Sequence, residues 1–276
     1  MTGKQFLSPE LIRDYASQNA STLLIGKRVL YYGEISSTQD IAQKLARQGA
    51  EDGTVVIAEK QTRGKGRQGR SWISSDGGLY LSLILRPNLE PVRALQLPLV
   101  AGVAVAKTIK KVTTLQPRLK WPNDIIITGK KVGGILTETS TKAGKINHTV
   151  LGIGLNVNTP RPLFPLAIRE TATSLAEEGG QNMPPLALLQ RLFCEFEALY
   201  VEFLAHGFGP IRQEWKAMSN TIGCRVKVAT SMAEIEGEAL DIDSEGFLLV
   251  RRGNGNIARI INDDIHLIDY SQFIKS

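Results

Sequence analysis

The sequence predicts an α+β protein, a mixed β-sheet packed with helices and followed by a small antiparallel β-barrel. Three observations carry that prediction. Short apolar runs recur through residues 29–156 with one long helical stretch among them, so the strands read as antiparallel neighbours without regular βαβ alternation. A strongly amphipathic helix follows over residues 184–204, with Leu188, Leu192, Phe196, Leu199 and Phe203 on one stripe. Beyond Asn220 the pattern changes to short β runs broken by Gly- and Asn-containing turns.

Taken in order, Ser8-Pro9-Glu10 opens a short helix that fades by Asn19, with Ser8 as N-cap and Pro9 at the first helical position. Residues 29–32 read as a strand. Ser36-Ser37 cap a helix through Ile41, Ala42 and Leu45 to Arg47, closed by Gly49. A strand over residues 54–58, a basic loop, the pair Gly77-Gly78 and a strand over residues 79–85 come next. Residues 91–112 are rich in Ala, Leu and Val and end in Lys107, Lys110 and Lys111. They read as one long buried helix with cations at its negative end. Strands are expected at 118–121, 125–128, 133–139 and 149–156, with a tight turn at Gly129-Lys130 and a proline-rich loop at 159–165. After the amphipathic helix comes a short one at 210–218. Four β runs at 225–229, 236–241, 247–252 and 257–261 then build a barrel of roughly fifty residues, consistent with an SH3-like fold. The division expected is a short N-terminal helical extension (1–28), a main domain (29–219) and the barrel (220–276).

A chain of 276 residues can bury a real core in one large domain plus a small one. Its 42% hydrophobic and 22% charged residues are those of an ordinary soluble protein. There is no unbroken apolar run of membrane-spanning length, and the first residues lack the apolar core of a signal peptide. A cytoplasmic protein without a membrane partner is expected. Cys194 and Cys224 make neither a disulfide framework nor a zinc spacing, and read as reduced thiols. The net charge is +6, yet five cations and no acid lie between Lys60 and Arg70, so the excess marks a local site more than a basic surface.

Four constellations could carry chemistry. Arg63-Gly64-Lys65-Gly66-Arg67-Gln68-Gly69-Arg70 places four cations and three glycines in eight residues, behind an apolar strand and ahead of Ser71-Trp72. Glycines let backbone approach a ligand, and the cations donate to phosphate or carboxylate oxygens. The letters fit Gly-x-Gly-x-x-Gly, but no helix follows, so the dinucleotide context fails; a Walker A motif is absent too. With its cations repelling one another, the loop is expected to be loose when empty and ordered by its ligand. Lys120-Trp121-Pro122-Asn123-Asp124 breaks a strand and leaves a carboxylate at a sheet end, or makes an ordinary turn. Lys131 stands before Gly133-Gly134 with only Val132 between, where a lysine beside a cavity can neutralise an oxyanion and one beside solvent does nothing. Gly152-Ile153-Gly154-Leu155-Asn156 alternates glycine with apolar residues, a strand that a ligand can lie against.

In this order and spacing, the four resemble the motifs of the biotin protein ligases, also called biotin–[acetyl-CoA-carboxylase] ligases. Ser37-Thr38, Gln61, Lys131-Val132-Gly133-Gly134-Ile135-Leu136 and Thr173-Ser174-Leu175 add to the match, which runs from about Val29 into the barrel. The resemblance implies a class II synthetase-like lipoate–biotin ligase fold. It also implies two steps: biotin and Mg-ATP form biotinyl-5′-AMP, and biotin then passes to a lysine of a biotin carboxyl carrier protein. By the same resemblance Ser37, Thr38, Gln39, Gln61, Lys65, Gly66, Arg67 and Lys131 bind biotin. Arg63, Gly64, Lys65, Arg67, Arg70, Trp72, Asn123, Lys131 and Asn156 bind ATP or the adenylate. Lys131, Arg67 and Asp124 act in catalysis, Asp124 by orienting the incoming lysine or binding Mg2+; no metal-ligand set is assigned. No side-chain nucleophile is needed, because the biotin carboxylate attacks the α-phosphate. His148, His206 and His266 match no site motif and read as structural or surface residues.

Lys65 stands where the family commonly has arginine and loses the bidentate fork. Gln39 stands where many members have Asn. Asn262-Asp263-Asp264-Ile265 stands where Gly-Glu is more usual, which argues against carrying an ATP contact over to the barrel. About twenty-eight residues precede the first strand, fewer than the roughly sixty of a winged helix-turn-helix, so the resemblance is to the monofunctional type without DNA binding. A homodimer through sheet edges is compatible with the family. The rival readings are a lipoate–protein ligase or octanoyltransferase of the same fold, and a nucleic-acid-binding module. The second is opposed by the confinement of charge to one Gly-rich loop.

Overall fold

The computed structural model describes Glu10 and residues 22–229, 234–261 and 263–268. The helix expected from Ser8 lies outside the described residues. The chain forms β1 (Val29–Ile35), α1 (Thr38–Arg47), β2 (Val55–Gln61), β3 (Gly78–Leu85), α2 (Leu97–Val112), β4 (Arg118–Lys120), β5 (Asp124–Ile127), β6 (Lys130–Lys142) and β7 (Lys145–Asn156). These seven strands make one sheet in the order β1-β2-β3-β7-β6-β5-β4. Only β1 and β2 pair in parallel, because α1 carries the chain back between them. The other pairs are antiparallel, as the sequence suggested.

Alternation along the strands separates two faces. Val55, Ile57, Leu79, Leu81, Leu83, Leu151, Ile153 and Leu155 face the main core, which is filled by α2, α4 (Pro185–His206) and α5 (Gly209–Met218). Val56, Ile84 and Val150 face the other way, onto Ala42 and Ala46 of α1. That helix covers only part of its face, and the functional site occupies the rest.

Several elements differ from expectation for physical reasons. Residues 91–112 are a 3-10 turn, Pro91–Gln96, followed by α2, since Pro98 is tolerated only near a helix start. Pro91–Val112 is long and apolar enough to cross a membrane, yet it is largely buried, with α2 packed on α4 and β6. β6 and β7 are longer than expected, and form one hairpin through Ala143 (φ 51°) and Gly144 (φ 75°). A one-turn helix, α3 (Leu175–Gly179), capped by Ser174 Oγ, follows the proline-rich loop and is too short for periodicity to reveal.

The C-terminal strands are β8 (Arg225–Ala229), β9 (Glu234–Ile242), β10 (Leu248–Arg252), β11 (Ile257–Ile260) and β12 (Asp264–Leu267), in the antiparallel order β11-β10-β9-β8-β12. β12 was not expected; its four residues are too few for a pattern to show. This sheet shares a continuous core with the large one, and Trp121 Nε1 donates to the Gly246 carbonyl at 3.0 Å across the junction.

Candidate active site

On the α1 face of the large sheet lies a cavity of about 350 Å³. Its floor follows from the residues that strand alternation turns to this face: Ser82 of β3, Gly134 and Leu136 of β6, Gly152 and Gly154 of β7. The glycines make the hollow. A Cβ at residue 152 would lie 2.7 Å from Gln39 Oε1, and one at 154 would lie 2.6 Å from Trp72 Nε1. The N-terminus of α1 supplies one wall with Ser37, Thr38 and Gln39. Gln61 Oε1 accepts from Thr38 N at 2.7 Å and lies 3.1 Å from Thr38 Oγ1, while Gln61 Nε2 donates to Ser74 Oγ at 2.8 Å. Ser37 Oγ is buried without a hydrogen-bond partner among the described residues.

The basic loop holds a defined hairpin over this hollow. Gly66 N donates to Arg70 O at 2.7 Å and Trp72 N to Gly64 O at 2.9 Å, with Gln68 (φ 54°) and Gly69 (φ 75°) at the turn. The repulsion expected to loosen it is relieved by acids and acceptors from elsewhere. Lys65 pairs with Asp40, Arg67 Nη1 donates to Asn123 Oδ1 at 3.0 Å and Asp264 Oδ1 at 3.3 Å, and Arg70 reaches Asp264 Oδ2 at 2.6 Å. Burial lowers the Arg67 pKa, and Asp264 and Asp124 oppose that shift. Trp72 lies on Gly154 and Gly134, with its Nε1 buried and unpartnered among the described residues.

Lys131 reaches the same space through a β-bulge. Ile126 pairs with Lys131 and Ile125 with Gly133, leaving Val132 as the extra residue. The bulge brings Lys131 onto the face of Gly134, whose notional Cβ would lie 3.3 Å from Lys131 Cε. Lys131 Nζ sits 2.5 Å from Asp124 Oδ1 and 5.4 Å from the centre of the Trp72 ring. Asn123 is locked by Nδ2 donating to Ile135 O at 2.7 Å, and Asn156 by Nδ2 donating to Thr173 O at 2.9 Å.

Of the residues singled out from the sequence, Ser37, Thr38, Gln39, Gln61, Lys65, Gly66, Arg67, Arg70, Trp72, Asn123, Asp124, Lys131 and Asn156 all line the cavity. Arg63 and Gly64 do not. Arg63 is exposed and contributes its N–H to Ser36 O at 2.8 Å, and Gly64 is packed so that a Cβ would meet Trp72 O at 2.4 Å. The cavity also takes in residues not singled out. Lys120 is one, its pKa lowered by burial, an effect that Asp124 offsets and Lys131 reinforces. Its place beside Trp121-Pro122-Asn123 was the available signal. Asp264 and His266 of β12 line the cavity as well, His266 while exposed, so the C-terminal sheet contributes to the cavity wall. Ser82 is a further such residue, a lone serine in an otherwise apolar and aromatic strand.

The profile of the biotin/lipoate A/B protein ligase family matches residues 32–156, and that of the biotin protein ligase C-terminal domain matches residues 221–265. The chain is 39% identical over 247 residues to the bifunctional ligase/repressor BirA of Bacillus subtilis, covering 89% of this chain and 76% of that protein. It is 33% identical to the biotin--[acetyl-CoA-carboxylase] ligase of Paracoccus denitrificans, covering 78% of this chain and 90% of that one. The fold is similar to that of the Aquifex aeolicus biotin protein ligase solved with biotin and ATP. The TM-score is 0.74 at 30% identity, covering 87% of this chain and 98% of that one. With the motifs and the cavity they build, these likenesses show that the chain belongs to the biotin/lipoate A/B protein ligase family, among its biotin protein ligases.

Proposed function

We propose that the cavity joins biotin to ATP, forming biotinyl-5′-AMP and pyrophosphate, and then transfers biotin to a lysine of a biotin carboxyl carrier protein. The observation that carries this reading is the cavity's composition. A glycine-floored part carries hydroxyl and amide groups from Ser37, Thr38, Gln61 and Ser82. A charged part holds Lys65, Arg67, Arg70, Lys120 and Lys131 against only two carboxylates, Asp124 and Asp264. The first suits a ureido head on an apolar ring, the second a carboxylate brought against a triphosphate. Family membership and the Aquifex relative's complex with biotin and ATP support it.

In the first step a biotin carboxylate oxygen attacks the α-phosphorus and pyrophosphate leaves. Both reactants are anions, so Lys131 and Arg67 act by neutralising them and holding them in line. Lys131 exchanges Asp124 for a phosphoryl oxygen. Lys65, Gly66 and Arg67 cover the product, flanked by Arg70, Trp72, Asn123 and Asn156, and so keep water from a hydrolysable anhydride. In the second step the carrier amine attacks the acyl carbon, AMP leaves, and Asp124 accepts a hydrogen bond from the incoming amine. Magnesium enters with ATP as part of the substrate. No group of three or more His, Cys, Asp or Glu that could hold an ion occurs among the described residues, and Asp124 would be the carboxylate to hold the ion together with the phosphates, the ion supplying further neutralisation of their charge.

Residues 29–219 act as the catalytic unit and 220–276 as the C-terminal domain in this reading, in a cytoplasmic protein whose sheet edge at β1 is the place for a second copy, the β4 edge being taken by Ser219 and Asn220. Incubation with biotin, Mg-ATP and a carboxyl carrier domain should add the biotin mass to one carrier lysine. Modification with lipoate and not with biotin would move the chain to the lipoate side of the family.

A further inference from the structure

The floor of the cavity is wired to a carboxylate outside it. The Gln39 amide is fully committed: Nε2 donates to Glu138 Oε2 at 3.0 Å and to Val150 O at 3.2 Å, and Oε1 accepts from Ser82 Oγ at 3.1 Å. An ionised carboxylate and a carbonyl only accept, so they decide which way the amide points. On the far side Gln43 Nε2 lies 3.4 Å from the same Glu138 oxygen, and Gln43 Oε1 lies 3.0 Å from His148 Nε2. Burial, with Arg86 and Arg47, keeps the His148 pKa low, so the neutral ring gives its one N–H to Gln43 and accepts from Asn147 Nδ2 at 3.1 Å. Every donor in the chain points towards Glu138.

That order propagates to the cavity. Ser82 has one hydrogen for two neighbours, Gln39 Oε1 and, at 2.9 Å, Thr38 Oγ1. Only the hydroxyl can donate in return, so Ser82 gives its hydrogen to Gln39 and accepts from Thr38. Gln61 Oε1 already takes the Thr38 N–H, and a Thr38 hydrogen sent there instead would leave two oxygen lone pairs facing each other at 2.9 Å. Thr38 Oγ1 therefore offers the cavity lone pairs alone. Ser37 Oγ, buried and unpartnered among the described residues, keeps its hydrogen.

We infer that Glu138 is a positioning residue: acting through Gln39 and Ser82, it makes Thr38 an acceptor for a ligand N–H and leaves Ser37 to donate to an adjoining carbonyl. An N–H beside a C=O is what a cyclic urea presents, so the inference rests on the biotin reading. It also makes Gln39 a relay and not a ligand contact.

The test is steady-state adenylation by the whole chain. Glu138→Leu removes one of the two acceptors that hold the Gln39 amide, and should raise KM for biotin by about tenfold while leaving KM for ATP unchanged. Discrimination against a cyclic carbamate, with oxygen in place of either ureido N–H, should shrink by a similar factor. Glu138→Gln keeps an acceptor oxygen and should restore both. Ser82→Ala cuts the chain at another link, should narrow the same discrimination, and serves if Glu138→Leu does not fold. Unmoved biotin KM and discrimination in the folded variants, or parallel loss of biotin and ATP affinity, overturns the inference. Wild-type protein is assayed first: no biotin-dependent pyrophosphate release sinks the functional reading, whereas release with unmoved variants sinks this inference alone.

Discussion

Arg67 Nη1 lies 3.3 Å from Asp264 Oδ1, a contact between residues 197 apart in sequence, and the same carboxylate takes Arg70 at 2.6 Å. The loop over the cavity is thereby fastened to the C-terminal sheet. The Arg67 side chain is 10% exposed and that of Asp264 27%, which sets this pair apart from freely solvated ones. Asp264→Asn should loosen the hairpin, and trypsin should cut it at Lys65, Arg67 or Arg70 about several-fold faster in the absence of ligand. A cleavage rate equal to wild type would show that Asp264 does not hold the loop.

Arg67→Gly removes the most buried cation of the lid. Biotinyl-AMP should leave about ten to a hundred times faster, the worth of one or two charge-assisted hydrogen bonds. Mass spectrometry should then find biotin on lysines of bystander proteins. Retained slow release of the adenylate would count against a clamping role.

Lys131→Ala leaves the attacking carboxylate and the phosphate without their shared counter-charge. Pyrophosphate release should fall by at least about a hundredfold with the fold retained, since Lys131 is partly exposed and its loss removes no core contact. Near-wild-type release would sink the assignment.

The lowered pKa of Lys120 gives a pH test. Bound phosphate favours the ammonium form, so binding raises that pKa. The lysine's contribution to affinity is complete below the ligand-free pKa and is lost as pH climbs through the ligand-bound one. Affinity for a non-hydrolysable ATP analogue should weaken with rising pH in wild type, beginning below the range where an ordinary lysine titrates. It should be flatter in Lys120→Arg, whose guanidinium stays charged. Superimposable profiles would place Lys120 outside the nucleotide site.

Gly154→Ala would put a Cβ 2.6 Å from the Trp72 ring, too close for both to stay. Trp72 must move, and KM for ATP should rise together with a change in tryptophan fluorescence. Unchanged emission with unchanged KM would mean that the indole is not seated on the sheet.

Much of the fold was legible because its signals are local. The apolar run at residues 79–85, the alternation of glycine with apolar residues at 152–156, the stripe from Leu188 to Phe203 and the glycine turns each state their own geometry within a few residues. The misses, α3 and β12, are elements of five and four residues, too short to hold a period. The motifs of the site were legible as well, since Gly64–Trp72, Trp121–Asp124 and Lys131–Gly134 are contiguous stretches whose residue types already imply anion binding.

By itself, then, the sequence determined the strands and helices, the glycine floor and the identity of the cations, all properties of neighbours in the chain. Tertiary structure decided which groups meet. The bulge at Val132 turns Lys131 onto the face of Gly134, Asp264 crosses from the last strand to Arg67, and Glu138 reaches Ser82 through Gln39. Those meetings depend on strand register and on contacts between distant segments, and no local pattern encodes either.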